Sequence, residues 1–309
     1  MARKTEVVAG ALALAAAWCT ATASAAPLTV CVAADNPPLS WQAGETTRGL
    51  DLRIATALAK AVSRELVVLP FETSYEKESA LTNEVNALLS AGLCDAASGF
   101  PLLASDLGPA GRPTSRTPGY PGAKRMRERP FVPLGTLVAS RAYLAVSLGL
   151  VQRPGAPPLL QLSDLGERRL GAVSGTLASA VALGWKQGVL RPKVVSLSLR
   201  EDALAELAKP TGSRIDVAFV PLALYDGWQL THPGTPLVPA DFRRPIGINL
   251  GFVTLAPATE LRAALDKVIG DALADGSLAR WAREEGVSWS APVAPDVSRG
   301  PSLAELTAD

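Results

Sequence analysis

"LTVCVAADNPPLSWQAGETTRGLDLRIATALAKAV", residues 28–62, changes its hydrophobic period partway along. The run LTVCVA (28–33) is apolar and β-branched, the pattern of a buried strand. DNPP (35–38) is turn chemistry, and a second apolar element follows around Leu39 to Trp41. Leu52, Ile54, Ala55, Leu58, Ala59 and Val62 then recur at the 3.6-residue spacing of an amphipathic helix. The next segments repeat the alternation: "ELVVLPFE" (65–72) reads as a strand, "ESALTNEVNALLSAG" (78–92) as a helix stopped by Gly92, and "CDAASGF" (94–100) as a third strand. Strands alternating with helices imply parallel pairing through right-handed crossovers, so the first part of the chain is α/β.

Residues 105–130 break the pattern. This stretch is rich in Pro and Gly and carries six basic residues, which predicts a long irregular loop. The alternation restarts at "FVPLGTLVAS" (131–140) and continues through "LSDLGERRLGAVSGT" (162–176), a helix from Leu177, "VVSL" (194–197), "EDALAELAK" (201–209) and "IDVAFV" (215–220). That is a second α/β unit. "RRPIGINLGFVTLAP" (243–257) reads as one extended strand, and residues 260–287 as two helices broken near Asp275 and Gly276. The Pro-rich tail from Ser290 predicts a flexible end. Two α/β lobes joined by extended segments around 132–138 and 245–252 leave a central cleft, where small ligands bind.

The N-terminus has the layout of a secretory signal: Arg3 and Lys4, an uncharged run from Val7 to Ala17, then small residues to Ala25, the expected cleavage point. That run is too short to span a bilayer, which takes roughly 20 apolar residues. Cleavage would remove Arg3, Lys4 and Glu6 from 30 basic and 29 acidic residues and leave the charges balanced. A neutral surface offers no footprint for nucleic acid or anionic membrane. The mature chain should be exported to the periplasm, soluble and monomeric. Cys31 and Cys94 then remain, and an even pair in an oxidising compartment forms a disulfide or else stays as two buried thiols. A single histidine, His232, cannot build a multi-histidine metal site, so no metal or cofactor is expected.

Five segments in order resemble family 3 extracellular solute-binding proteins. They are the opening stretch with its Pro-Pro turn and Gly-hydrophobic-Asp helix start, "LLSAGLCDAASGF", "LSDLGERRLGAVSGT", "ALAELAKPTGSRIDVAFV" and "ALADGSLARWAREEGV". The resemblance implies a two-lobed type II periplasmic binding fold, with residues 26–133 plus 248–288 in lobe 1, 137–244 in lobe 2, and a tail at 289–309. It implies no enzyme activity, a small-molecule ligand and an ABC permease as partner. Carried onto this sequence, the ligand-facing positions are Asp35, Asn36, Trp41, Gly99, Phe100, Pro101, Thr136, Ser174, Gly175, Thr176 and Pro221. Ser174, Gly175 and Thr176 would offer backbone N–H groups and a hydroxyl at a helix start to an anion, although Thr there serves equally as an N-cap.

Departures from the family narrow the ligand. Members that bind α-amino acids carry an arginine after the small-residue strand, where this chain has Leu103 to Asp106, and an aspartate where it has Pro221. The acid expected at the end of the first strand falls on Ala33. A zwitterion without those partners would be costly to hold, so the expected ligand is something other than a standard α-amino acid. Arg112, Arg116, Arg125, Arg127 and Arg129 in the loop would either replace the missing clamp or form a solvated surface. A second resemblance, to accessory proteins of quinoprotein methanol dehydrogenases, rests on the placement of Cys31 and Cys94 and on the Gly99-Phe100-Pro101 bend, and implies a dehydrogenase as partner. Hydrolase chemistry has little to stand on. His232 lies in a turn, "GVSGT" lacks the nucleophile-elbow glycine spacing, and Glu284 and Glu285 point in different directions on their helix.

Overall fold

β1 (Leu28–Ala33) sends Val30 and Val32 to one face of a sheet and Cys31 to the other, as the two-residue period of a strand requires. The computed structural model describes residues 26–73 and 80–308, and the leader expected over residues 1–25 lies outside them. α1 (Leu50–Ala61) buries Leu50, Ile54, Ala55, Leu58 and Ala59. It begins directly after Gly49, whose φ is 125°. A Cβ there would lie 2.2 Å from the Leu39 carbonyl oxygen, so only glycine permits this entry.

β2 (Leu66–Phe71), α2 (Leu81–Ser90) and β3 (Ala96–Pro101) complete the first parallel unit, β1 pairing in parallel with both β2 and β3. Cys31 and Cys94 form a disulfide, Cα to Cα 5.7 Å, that ties β1 to the entrance of β3. The other lobe is built from β5 (Leu170–Val173), α3 (Leu177–Gly188), β6 (Val194–Leu197), α4 (Ala203–Ala208), β7 (Val217–Pro221) and α5 (Leu222–Thr231). Here β5 pairs in parallel with β6 and β7.

Two long strands, β4 (Thr136–Gln152) and β8 (Val238–Leu255), join the halves into one nine-stranded sheet of order β6-β5-β7-β4-β8-β3-β1-β2, with Gly108–Pro109 paired beside the start of β4. They run antiparallel from Leu137 opposite Leu255 to Gln152 opposite Val238. In lobe 1, β8 borders β3; in lobe 2, β4 borders β7. The ladder shifts register between Ala145 and Ser147, opposite Pro245, which has no N–H to give to a continuous ladder. The first crossover therefore falls inside β4 near 142–147. The expectation of 132–138 was misplaced: Val132–Pro133 is a separate short strand paired with Thr114–Ser115.

α6 (Thr259–Ala274) and α7 (Ser277–Glu284) return to lobe 1 and pack with α1 on one sheet face, while α2 covers the other. Residues 286–308 pack against the rest of the molecule, where a flexible tail was expected. They cross the long strands and end in α8 (Leu303–Thr307), whose Leu306 is buried in the lobe 2 core beside Val181, Trp185, Phe242 and Ile246. Composition misleads here because the tail's order comes from distant partners and not from its own propensity. Among the described residues, no helix is long and apolar enough to cross a membrane.

Candidate functional site

The DNPP turn becomes a small antiparallel hairpin, with Asp35 opposite Trp41 and Asn36 opposite Ser40. Ser40 Oγ donates to the Ala33 carbonyl at 2.8 Å and fixes the hairpin at the exit of β1. Beside it opens a cavity of about 620 Å³ lined by Ala34, Asp35 and Gln42, by Pro70 and Glu72 at the end of β2, and by Gly119, Tyr120, Pro121, Ala123 and Arg129 of the inserted loop. A second cavity of about 370 Å³ shares Ala34, Asp35 and Gln42 and adds Pro37, Trp41 and, from lobe 2, Leu230 and Thr231. The two form a groove walled by both lobes, with the exposed carboxylate of Asp35 at their junction.

The loop is pinned over the groove. Glu72 and Gly119 exchange backbone hydrogen bonds of 2.8 and 3.2 Å. Arg129 donates to the Lys124 carbonyl at 2.6 Å and to the Thr117 carbonyl at 2.7 Å. Of the five loop arginines, Arg129 alone lines the groove. The Arg116 guanidinium sits 4.3 Å over the Phe131 ring, and Arg125 pairs with Glu128.

Beneath the hairpin lies a buried polar cluster that the sequence reading passed over. Tyr143 donates to Asp51 Oδ1 at 2.6 Å and Ser98 donates to Asp51 Oδ2 at 2.7 Å. Burial raises the Asp51 pKa to about 6, the two hydrogen bonds opposing that rise. The Tyr143 phenol is pushed well above its usual value by burial and by the neighbouring carboxylate. The Cβ position of Gly99 lies 3.1 Å from Asp51 Oδ2 and 3.7 Å from Asn36 Nδ2, so the strand-end glycine joins this cluster to the hairpin. The available signal was the Gly-Leu-Asp sequence at the start of α1.

The lobes also touch directly. Asp226 on α5 accepts hydrogen bonds from the Ser288 N–H and hydroxyl, both 2.6 Å, and its pKa is raised to about 6 by burial against those bonds. At the next residue, α5 passes so close to the hairpin turn that a Cβ on Gly227 would meet the Pro37 carbonyl oxygen at 2.8 Å.

The structure gathers Asp35, Asn36, Trp41 and Gly99 around this region. Pro101 is half-buried and pairs with Leu250, and Pro221 stands exposed before α5. Phe100 is a correction: it is 1% exposed and packed in the lobe 1 core, because Gly99, at a φ of 66°, makes a bulge in β3 that turns Phe100 onto the same face as Ala97 and pairs it with Gly251. Thr136 is another. It begins β4 opposite Pro109, nine residues before Ala145, which at about 3.3 Å per residue puts it about 30 Å from the crossover. Thr176 is the N-cap of α3, its hydroxyl accepting from Ser179 N–H at 3.2 Å and donating to the Val173 carbonyl at 2.7 Å. The Ser174 N–H bonds the Leu197 carbonyl, Gly175 is exposed, and none of residues 174–176 lines the groove. His232 stacks on Trp228 at 4.3 Å and contacts the Trp228 carbonyl through Nδ1. Among the described residues, no group of three or more His, Cys, Asp or Glu side chains could hold a metal ion.

No model of a known protein family matches this sequence, and no curated protein matches it either. Solved structures do share its fold. The second substrate-binding domain of Lactococcus lactis GlnP in its open conformation superposes with a TM-score of 0.60 at 13% identity, covering 85% of this chain and 96% of that one. The second substrate-binding domain of a putative amino acid ABC transporter from Streptococcus pneumoniae gives 0.60 at 13%, covering 84% and 99%. An ancestral cationic amino acid solute-binding protein gives 0.55 at 17%, covering 84% and 94%. The architecture is thus that of two-lobed substrate-binding proteins. The resemblance to quinoprotein dehydrogenase accessory proteins finds no support in these comparisons.

Proposed function

We propose that this protein is an exported substrate-binding protein that takes a small polar organic ligand between its lobes and delivers it to an ABC-type transporter. The observation that carries this reading is a groove walled by the lobe 1 hairpin and by lobe 2's α5, with Asp35 and Trp41 on its surface. A ligand touching both walls favours the closed arrangement by its differential affinity for it. Ser174 and Gly175 would approach the ligand from lobe 2 on closure.

The ligand we favour is not a standard α-amino acid. Residues 103–106 supply no arginine, and Arg129, the one loop arginine at the groove, commits its Nε–H and an Nη1–H to backbone carbonyls, which takes away the Nε side of its fork for an α-carboxylate. A thermal-shift panel of amines, sugars, carboxylates and α-amino acids tests both parts. A binder held at a hundred times its Kd should add about 2.7 kcal/mol of stability, and Trp41→Ala should remove that gain. Stabilisation by α-amino acids alone would overturn the ligand class. Stabilisation by nothing in the panel would overturn the binding function.

A further inference from the structure

The chain after α7 makes a continuous series of bonds along the junction between the lobes. Trp289 Nε1 donates to the Tyr143 carbonyl at 2.8 Å. The Ala145 N–H donates to the Ser290 carbonyl at 3.0 Å, and the Ala142 N–H to the Asp296 carboxylate at 3.3 Å. Asn249, 2% exposed on β8, gives its side-chain N–H groups to the carbonyls of Val293, Pro295 and Asp296 and accepts from the Val293 N–H. Ser298 then bonds backbone to backbone with Leu102 and Ala104, just past the end of β3. The last turn reaches lobe 2, where Leu306 is 4% exposed and Arg244 holds the carbonyls of Glu305 and Ala308.

Three properties set this segment apart from an ordinary C-terminal extension. It is anchored in lobe 1 through α7, along the crossover through Ala142, Ala145 and Asn249, and in lobe 2 through α8, so it spans both rigid bodies and the segment on which they would pivot. Asn249 is a buried amide satisfied only by the tail, and leaving such a group unpaired is costly. Finally, α8 is a five-residue helix whose own capping box between Ser302 and Glu305 fixes its start, and its Leu306 is buried in the lobe 2 core.

We propose that residues 289–308 form a strap that fixes the angle between the lobes, and that wide opening requires α8 to leave lobe 2. The groove described above is then reached with the strap docked only as far as the strap allows. This inference concerns the junction itself and holds whatever the ligand is, so its test uses none.

Small-angle X-ray scattering of the full chain reads lobe separation as radius of gyration and maximum dimension, and hydrogen exchange reads the Ala142 and Ala145 amides. Leu306→Glu should undock α8, enlarge both dimensions and speed exchange at Ala142 and Ala145. Leu306→Ala, which keeps the site apolar, should do the same to a smaller extent and serves if the first variant does not fold. Rescue discriminates a strap from a merely weakened lobe. The Cβ position of Gly184 lies 3.5 Å from Thr307 Cβ, within disulfide range, so Gly184→Cys with Thr307→Cys can staple α8 to α3. Oxidised, the staple should return a Leu306 variant to wild-type dimensions. Unchanged dimensions in the folded Leu306 variants, or enlarged ones that the staple does not reverse, would overturn the proposal.

Discussion

The two lobes share a sheet but are held together by different means. Lobe 1 is closed from within: a disulfide joins β1 to the entrance of β3, helices cover both sheet faces, and a buried carboxylate is satisfied by Ser98 and Tyr143. Lobe 2 has no cysteine to form such a link, and its buried carboxylates, Glu206 and Asp226, are held by Lys209 and Arg214 and by Ser288. Its rim carries partly exposed ion pairs, Arg169 with Asp216 and Arg214 with Glu201 and Glu206, and its core is finished by α8 from the far end of the chain. The difference teaches that lobe 2 takes a buried core residue, Leu306, from α8, whereas lobe 1 draws only the partly buried Trp289 and Val297 from the same tail.

The largest expected effect attacks the covalent side. Replacing both Cys31 and Cys94 by Ser removes a link between residues 63 apart and should cost about 4 kcal/mol in urea unfolding. Hydrogen exchange should show the loss first in residues 28–33. Equal loss of protection in residues 217–220 would break the contrast between the lobes.

A smaller effect concerns the buried acids. Asp51 and Asp226 each titrate near 6 when folded and near 4 when unfolded. The folded state therefore holds these protons more tightly. The stability each contributes is greatest below about pH 4 and falls as pH rises through about 6, by no more than about 3 kcal/mol per group. Asp51→Asn keeps a partner for Tyr143 and Ser98 but carries no charge. It should melt higher than the parent at about pH 7.5 and flatten the pH dependence, measured by calorimetry across pH 4 to 8. A lower melting point with an unchanged slope would show that the carboxylate is needed in its charged form.

The smallest effect belongs to the lobe 2 rim. Arg169→Ala breaks a two-pronged contact of 2.9 and 3.0 Å with Asp216, yet both side chains are at least a third exposed. It should cost less than about 1 kcal/mol, and less still at high salt. A larger loss would place lobe 2's stability on its surface and not on α8.

Local order was legible where chemistry is local. The 3.6-residue repeat marked α1, Gly92 marked the end of α2, Asp275 and Gly276 separated α6 from α7, and the cysteine pair formed its bridge. The crossover was harder to place, because the sequence marked only 131–140 and 243–257 as strand, and the exchange of neighbours occurs at a register shift that leaves no signature in β4 itself. Phe100 was misread for a related reason: Gly99 does bend the chain, but as a bulge within the strand, and Gly251 and Leu250 opposite Phe100 and Pro101 keep the segment in the sheet. The tail was misread because the partners that order it, Asn249 and Leu102, lie far away in sequence. At the candidate site, Asp35 and Trp41 were named through the family resemblance, and both line the groove. Tyr120 and Glu72 entered the groove only once the loop had folded over it.

Gly227 carries a last consequence. Alanine is normally the better helix residue, and the exchange would favour α5 taken alone by about 1 kcal/mol. Here the added methyl would act as a shim between two plates, because the hairpin turn occupies the space it needs. How near the halves of this molecule can come is thus written as one missing carbon, and its tolerance to change is decided across the gap and not along the helix.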